Sequence, residues 1–237
     1  MIALRPYATL AGRDAGWLKA RLHFRFAGMG KLEYGPVGPL HVWNDDEFAP
    51  DSGFPMHAHR DVEIITYVRR GAVTHADSLH NQSRVVAGDV QVMSAGDGIV
   101  HAEHNNETEP TLVYQIWLKP RETGGTPSWQ TRRFPQADRS GKLTVLASGY
   151  ADDQQQHGAL PLKADARLLV AKLRAGDRIT HTMNGDAYLV AVDGRLQLNG
   201  TELAVRDGAA IIGETQMALH ALEDTEVVMI EAPRKTA

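Results

Sequence analysis

The chain has 237 residues, 43% of them hydrophobic, and a formal net charge of −4. That length and apolar content suit one large all-β domain or two of ordinary size and exclude a disordered chain. Basic and acidic residues are interspersed with no Lys/Arg block, which argues against nucleic acid as a direct ligand. With no cysteine present, disulfides and thiolate metal sites are excluded, and His, Asp and Glu remain as possible ligands.

The opening MIALRPYATLAGRDAG lacks a basic segment followed by an apolar one, so no secretory signal is expected. No run approaches the roughly 18 apolar residues of a membrane helix. A cytoplasmic protein without membrane contact is the expectation. Helix signals are scarce. Short apolar runs separated by Gly, Asp and Asn follow one another: EIITYV, GAVTHA, SRVVAGDVQVMSAG and TLVYQIWL, then KLTVLAS, ARLLVAKL, DAYLVAVDG, RLQLNG and EVVMIEA. Such spacing predicts a sandwich or barrel. Between the groups, KPRETGGTPSWQTRRF has Pro and Gly clusters and no periodicity. It divides the chain into an N-terminal unit over 1–120, a linker over 121–135 and a C-terminal unit over 136–237. The units read as copies, since EIITYVRRGAVTHADS and DAYLVAVDGRLQLNGTE share a strand, a glycine and a second strand.

Six of the eleven histidines fall between residues 57 and 104. In FPMHAHRDVE, His57 and His59 stand two apart, so on a strand they share one face, with Asp61 and Glu63 of equal parity. GDGIVHAEH puts His101 and Glu103 in the same relation. Two strands each presenting such a pair inward would make a site of three imidazoles and a carboxylate, suited to Fe(II), Mn, Ni, Co, Cu or Zn. Taken alone, a His-x-His pair is more often solvated than ligating. His75, His80 and His104 are read as structural or surface residues, His104 having the wrong parity. In the second unit, Thr180 and Thr182 align with His57 and His59, while His220 and Leu222 fall near His101 and Glu103. That unit keeps the framework without a ligand set, and His181 is placed on its outer face.

At these residues the chain resembles the pirin family of the cupin superfamily. NDDEFAPDSGFPMHAHRDVEIITYVRRGAVTHADS and GDVQVMSAGDGIVHAEHN carry the resemblance, and YQIWLKP, RRFP, KLTVLAS and ADARLLVAKL support it. FRFAGMGKLEYG departs from the aromatic, Asp-rich stretch expected there. The resemblance implies a bicupin: two tandem antiparallel β-barrels of jelly-roll type facing each other, with one metal, usually iron, in the N-terminal barrel. Carried over position by position, the metal ligands are His57, His59, His101 and Glu103, with Glu63 the competitor for the carboxylate.

Bacterial members of the family are similar to quercetinases, which open a flavonol with dioxygen to give a depside and carbon monoxide. The resemblance therefore implies a flavonol-like substrate, with Glu103 the candidate catalytic base. Phe54, Met56, Met93 and Ile99 are candidates for an apolar pocket or for plain core. A rival reading is a non-catalytic, redox-sensitive iron protein acting through protein partners.

Overall fold

A computed structural model describes residues 1–134 and 139–233 of the chain. Residues 135–138 and 234–237, including the end of the expected linker, lie outside the described residues. The fold is nearly all β, as expected, but each unit is a jelly-roll sandwich of two sheets and not a closed barrel.

The first sandwich pairs a seven-stranded sheet with a four-stranded one. Across the larger sheet the order is Ser128–Arg133, Asp89–Ser94, Glu63–Arg70, Thr111–Leu118, Leu40–Phe48, Leu18–Leu22 and Ala11–Asp14. Across the smaller it is Ser52–His59, Ile99–Asn105, Ala72–Asp77 and Gln82–Val86. The second sandwich repeats this plan. Its larger sheet runs Ile2–Arg5, Gly208–Ile211, Asp186–Ala191, Thr225–Ala232, Arg167–Leu173, Thr144–Ser148 and Leu160–Pro161. Its smaller sheet runs Arg178–Thr182, Gln216–Ala221, Leu196–Leu198 and Thr201–Leu203.

Two placements differ from the sequence reading. Ile2–Arg5 pairs antiparallel with Gly208–Ile211, so the chain starts in the second sandwich before building the first. Within the expected linker, Ser128–Arg133 pairs with Asp89–Ser94 as an edge strand of the first sandwich. Pro and Gly around it hid a strand whose partner lies far back in the sequence. One short helix, Ala151–His157, was also not foreseen. Asp152 and Asp153 occupy its first turn, where the helix dipole favours acids. Gly158 closes it in the left-handed conformation, at φ 60°. Among the described residues no helix is long and apolar enough to cross a membrane.

The two large sheets pack face to face. Trp43, Ile65, Tyr67, Tyr114 and Ile116 from the first share one buried cluster with Leu168, Val170, Tyr188, Val190, Val228 and Ile230 from the second. Strand alternation then sends the neighbouring residues into the two interiors. The second interior is one apolar cluster, running through Leu169, Leu189, Leu196, Leu219 and Met229. In the first interior there are two separate clusters, one around Phe48, Val68 and Val113 and the other around Ile64, Met93 and Ile99. Buried polar residues of that interior include Thr66, His75, Gln91, His101 and Glu103. A polar belt inside one of two matched sandwiches is where chemistry is to be sought, because a buried polar group without function is a net cost.

Candidate metal centre

Strand Ser52–His59 delivers two of the histidines through a bulge. It pairs with Ile99–Asn105, but the register shifts: His101 faces His57, while Glu103 faces Phe54. The extra residue sits at Pro55 and Met56, a position where proline is tolerated. Phe54, His57 and His59 are thereby half-buried, while Pro55, Met56 and Ala58 are exposed. Pro55 O accepts a hydrogen bond from His57 Nδ1 at 2.8 Å, which leaves Nε2 as the ring nitrogen available to a ligand. Gly53 permits the close approach of the two strands, since a Cβ there would stand 2.2 Å from Glu103 O.

His57, His59 and His101 converge, each offering a ring nitrogen within 4.8 Å of the others. Ring centroids lie 4.5 Å apart for His57 and His101 and 5.0 Å apart for His59 and His101. Both nitrogens of His101 are buried without a protein partner. Burial, reinforced by the neighbouring His57 and His75, holds His101 down to about 3. Burial and then His101 and His57 hold His59 down to about 4. Three converging imidazoles, one of them with both nitrogens unpartnered, fit the donor set of a divalent transition metal.

Glu103 stands beside His101 within a second, overlapping triad, His75–His101–Glu103, whose ligand atoms also lie within 4.8 Å of one another. Its carboxylate rests on a cross-strand row of the facing sheet. Asn44, Gln115, Thr66 and Gln91 are register partners on four successive strands. Thr66 Oγ1 and Gln91 Nε2 both donate to Glu103 Oε1 at 2.9 Å, and Gln115 Nε2 donates to Oε2. All three donors are neutral.

Glu63, the competitor for the carboxylate, is turned away. Asp61 adopts φ 51° between the two strands, so parity does not carry from His59 to Glu63. Glu63 Oε2 instead accepts from Ser94 Oγ at 2.7 Å and from Lys163 N of the second sandwich at 2.9 Å.

His75, structural or surface on the sequence reading, is a buried structural residue. It is fully buried, lies opposite Glu103 in the register, stacks on Trp129 at 5.0 Å and holds Asp77 Oδ2 from Nε2 at 3.0 Å. The signal was there in the His-x-Asp alternation of THAD. His80 is exposed in a turn at φ 65°, and His104 turns to Asn106 Oδ1 at 2.7 Å, both as expected. In the second sandwich the alignment slips by one residue. Thr180 and Thr182 are exposed, whereas the half-buried His181 contacts the buried Glu231 Oε1 at 3.1 Å. Met217 and Leu219, and not His220, occupy the buried face of the strand opposite.

A cavity of about 220 Å³ opens onto the histidines. Phe26, Phe54, Ile64 and Trp117 form its apolar surface, and Asn44, Asp46, Glu103 and Gln115 form its polar wall. Phe54 is thus a pocket residue. Met93 and Ile99 belong to the core beside it, and Met56 is 55% exposed on the outer face. Phe26, from the stretch that departs from the family pattern, meets Trp117 edge-on at 5.4 Å. Burial, then the neighbouring Asp45 and Glu103, pushes Asp46 well above the usual carboxylate range.

Two facing jelly-roll sandwiches, one holding a histidine cluster at its mouth and one without, define a bicupin. Residues 5–118 match the pirin family and residues 146–232 match the quercetinase C-terminal cupin domain. The chain belongs to the pirin family. It is 52% identical over 234 residues to a pirin-like protein of Caulobacter vibrioides, covering 98% of this chain and 100% of that one. It is 36% identical over 236 residues to a quercetin 2,3-dioxygenase of Escherichia coli, covering 98% and 99%. The crystal structure of the Escherichia coli pirin YhhW in complex with nickel(II) superposes with a TM-score of 0.91 at 34% identity, covering 98% and 99%.

Proposed function

We propose that this protein is a metal-dependent dioxygenase of the quercetin 2,3-dioxygenase kind, with His57, His59, His101 and Glu103 holding one divalent metal, most simply Fe(II). The observation that carries this reading is the environment of Glu103. It is 2% exposed, and its hydrogen-bond donors Thr66, Gln91 and Gln115 carry no charge. Buried carboxylates are paired with a cation or coordinate a metal, and the three imidazoles beside this one suit the second case. The nickel(II) complex of YhhW and the relatives named as quercetin dioxygenases support it.

The bound metal would supply a Lewis acid that makes a flavonol's enolic hydroxyl acidic at neutral pH. The remaining work falls to the chain. His57 is held through the bond from its Nδ1 to Pro55 O, which leaves Nε2 as the nitrogen that would bind the metal. Glu103 Oε1 takes two donors and Oε2 only one, so Oε2 keeps a single lone pair, which would hold the metal and, where the carboxylate loosens from it, could accept the substrate's proton. Phe26, Phe54 and Trp117 offer flat apolar surface to an aromatic ring and exclude water from it.

One observation keeps a second reading alive. At about 220 Å³ the cavity is smaller than the roughly 300–1,000 Å³ usual for ligand pockets, so a three-ring flavonol would seat only one edge inside. A non-catalytic redox-sensitive metal protein needs no such room.

The two readings separate in one assay. Protein reloaded with Fe(II), Cu(II), Ni(II), Co(II) or Mn(II) is mixed with quercetin, and flavonol loss, oxygen uptake and carbon monoxide release are followed together. Matched consumption and release in at least one metal form supports the dioxygenase. A metal-loaded protein that leaves quercetin and oxygen untouched in every form overturns it.

A further inference from the structure

The cavity over the histidines is walled almost entirely by strands of the two sheets. Phe54 comes from Ser52–His59 and Trp117 from Thr111–Leu118. Among the described residues, Phe26 is the one lining side chain that stands on none of the strands. It belongs to FRFAGMGKLEYG, the stretch that departs from the family pattern.

The turn that carries this ring is tight. Phe26 N donates to Met29 O at 3.0 Å, and Met29 N donates to Phe26 O at 2.9 Å. Ala27 and Gly28 between them take φ 49° and φ 79°, both left-handed, as a primed turn requires. These two residues are exposed, whereas the ring of Phe26 is half-buried, so the turn stands in solvent and sends its side chain inward. There Phe26 meets Trp117 edge-on at 5.4 Å, and Trp117 meets His59 edge-on at 5.0 Å. One aromatic chain thus runs from the histidines to the turn. The hydrogen bonds of the turn are all backbone bonds, so the ring can be shortened without breaking it.

We infer that Phe26 sets how much of a substrate this cavity takes, and that it restricts the cavity to one ring. A single-ring hydroxy-enone is seated whole, and a fused-ring flavonol enters by one edge only. The inference rests on the dioxygenase reading and deepens it, since it names the size class of the substrate and the residue that fixes it. The other walls are strands held by their backbone ladders, and they do not widen for a larger ligand. Phe26 is a single side chain on a separate turn, placed where a further ring would go. With it in place the cavity is about 220 Å³, below the roughly 300–1,000 Å³ usual for ligand pockets. A second or third ring of the substrate then stays in water and gains no apolar burial.

The test titrates 3-hydroxy-2-methyl-4-pyranone and 3-hydroxyflavone into nickel(II)-loaded, desalted protein by calorimetry, under argon so that nothing is oxidised. The two ligands share the hydroxyl-ketone head and differ in the number of rings behind it. Wild type, Phe26→Ala and Phe26→Leu are compared, with the metal content and Tm of each. In Phe26→Ala, 3-hydroxyflavone is expected to bind about tenfold tighter, which corresponds to burying roughly 55 Å² of further apolar surface. The pyranone is expected to bind no tighter than before, and metal content to be equal in all three proteins. Phe26→Leu is expected to shift in the same direction by a smaller factor, and it carries the test if Phe26→Ala does not fold. Both ligands shifting by the same factor, or neither shifting, would overturn the inference while leaving the dioxygenase reading standing. If neither ligand binds the wild type or either variant, the dioxygenase reading fails and takes the inference with it.

Discussion

Glu63 Oε2 accepts a hydrogen bond from the backbone N–H of Lys163 at 2.9 Å, tying the first sandwich to the second. This carboxylate sits four residues after His59, yet it faces the other sandwich. Glu63→Gln is therefore expected to leave metal content unchanged and to cost roughly 1–2 kcal/mol of stability, through the weakened bonds to Lys163 N and Ser94 Oγ. Glu103→Gln should do the opposite to the metal, lowering its affinity. Metal content by elemental analysis and urea unfolding of both variants would show it. Metal loss in Glu63→Gln would return the carboxylate role to that residue.

His75 is fully buried between Trp129 and the histidine cluster. His75→Ala opens a cavity and leaves Asp77 without one of its donors. A stability loss of roughly 2–4 kcal/mol is expected from this kind of truncation. The metal is expected to stay, because His57, His59 and His101 remain. Denaturant unfolding with parallel metal analysis decides between this and a ligand role for His75, in which metal would be lost as well.

His23 lies fully buried between the sandwiches, with Nδ1 2.8 Å from Tyr188 Oη. Burial holds its pKa down to about 3; Asp45 opposes this, and Arg5, Arg206 and Arg69 add to it. The unfolded chain takes up a proton at this residue below about pH 6.5, whereas the folded protein refuses it until about pH 3. Stability from this group is thus intact above pH 6.5 and lost as pH falls through the window, by up to about 1.4 kcal/mol per pH unit. His23→Gln should flatten the fall of stability between pH 6.5 and pH 4 by about one proton's worth, read from urea midpoints across that range. A slope identical to wild type would mean His23 is protonated within the folded protein.

Much of this was legible from residue order. Alternating strands, the two-unit plan and the inward pairs His57–His59 and His101–Glu103 follow from a side-chain period of two, which local sequence carries. What was not legible depends on long-range pairing. Nothing near Ile2 announces that it joins a strand at Ile211, nor near Trp129 that it joins Met93. The left-handed Asp61 broke a parity that counting had carried on to Glu63. In the second unit a one-residue slip exchanged Thr180 and Thr182 for His181, because a strand moved by one residue presents its other face. The belt of Asn44, Gln115, Thr66 and Gln91 comes from four separate strands and exists only once register sets them in a row.

The central claim is that the three histidines and Glu103 form one metal centre. The most direct measurement is metal content per chain after Fe(II) loading and desalting, for wild type and for His59→Ala, with circular dichroism to verify that the variant is folded. The account predicts about one metal per wild-type chain and almost none in a folded His59→Ala, whose half-exposed side chain contributes little to the core. Equal metal in both proteins, or none in the wild type, would contradict it.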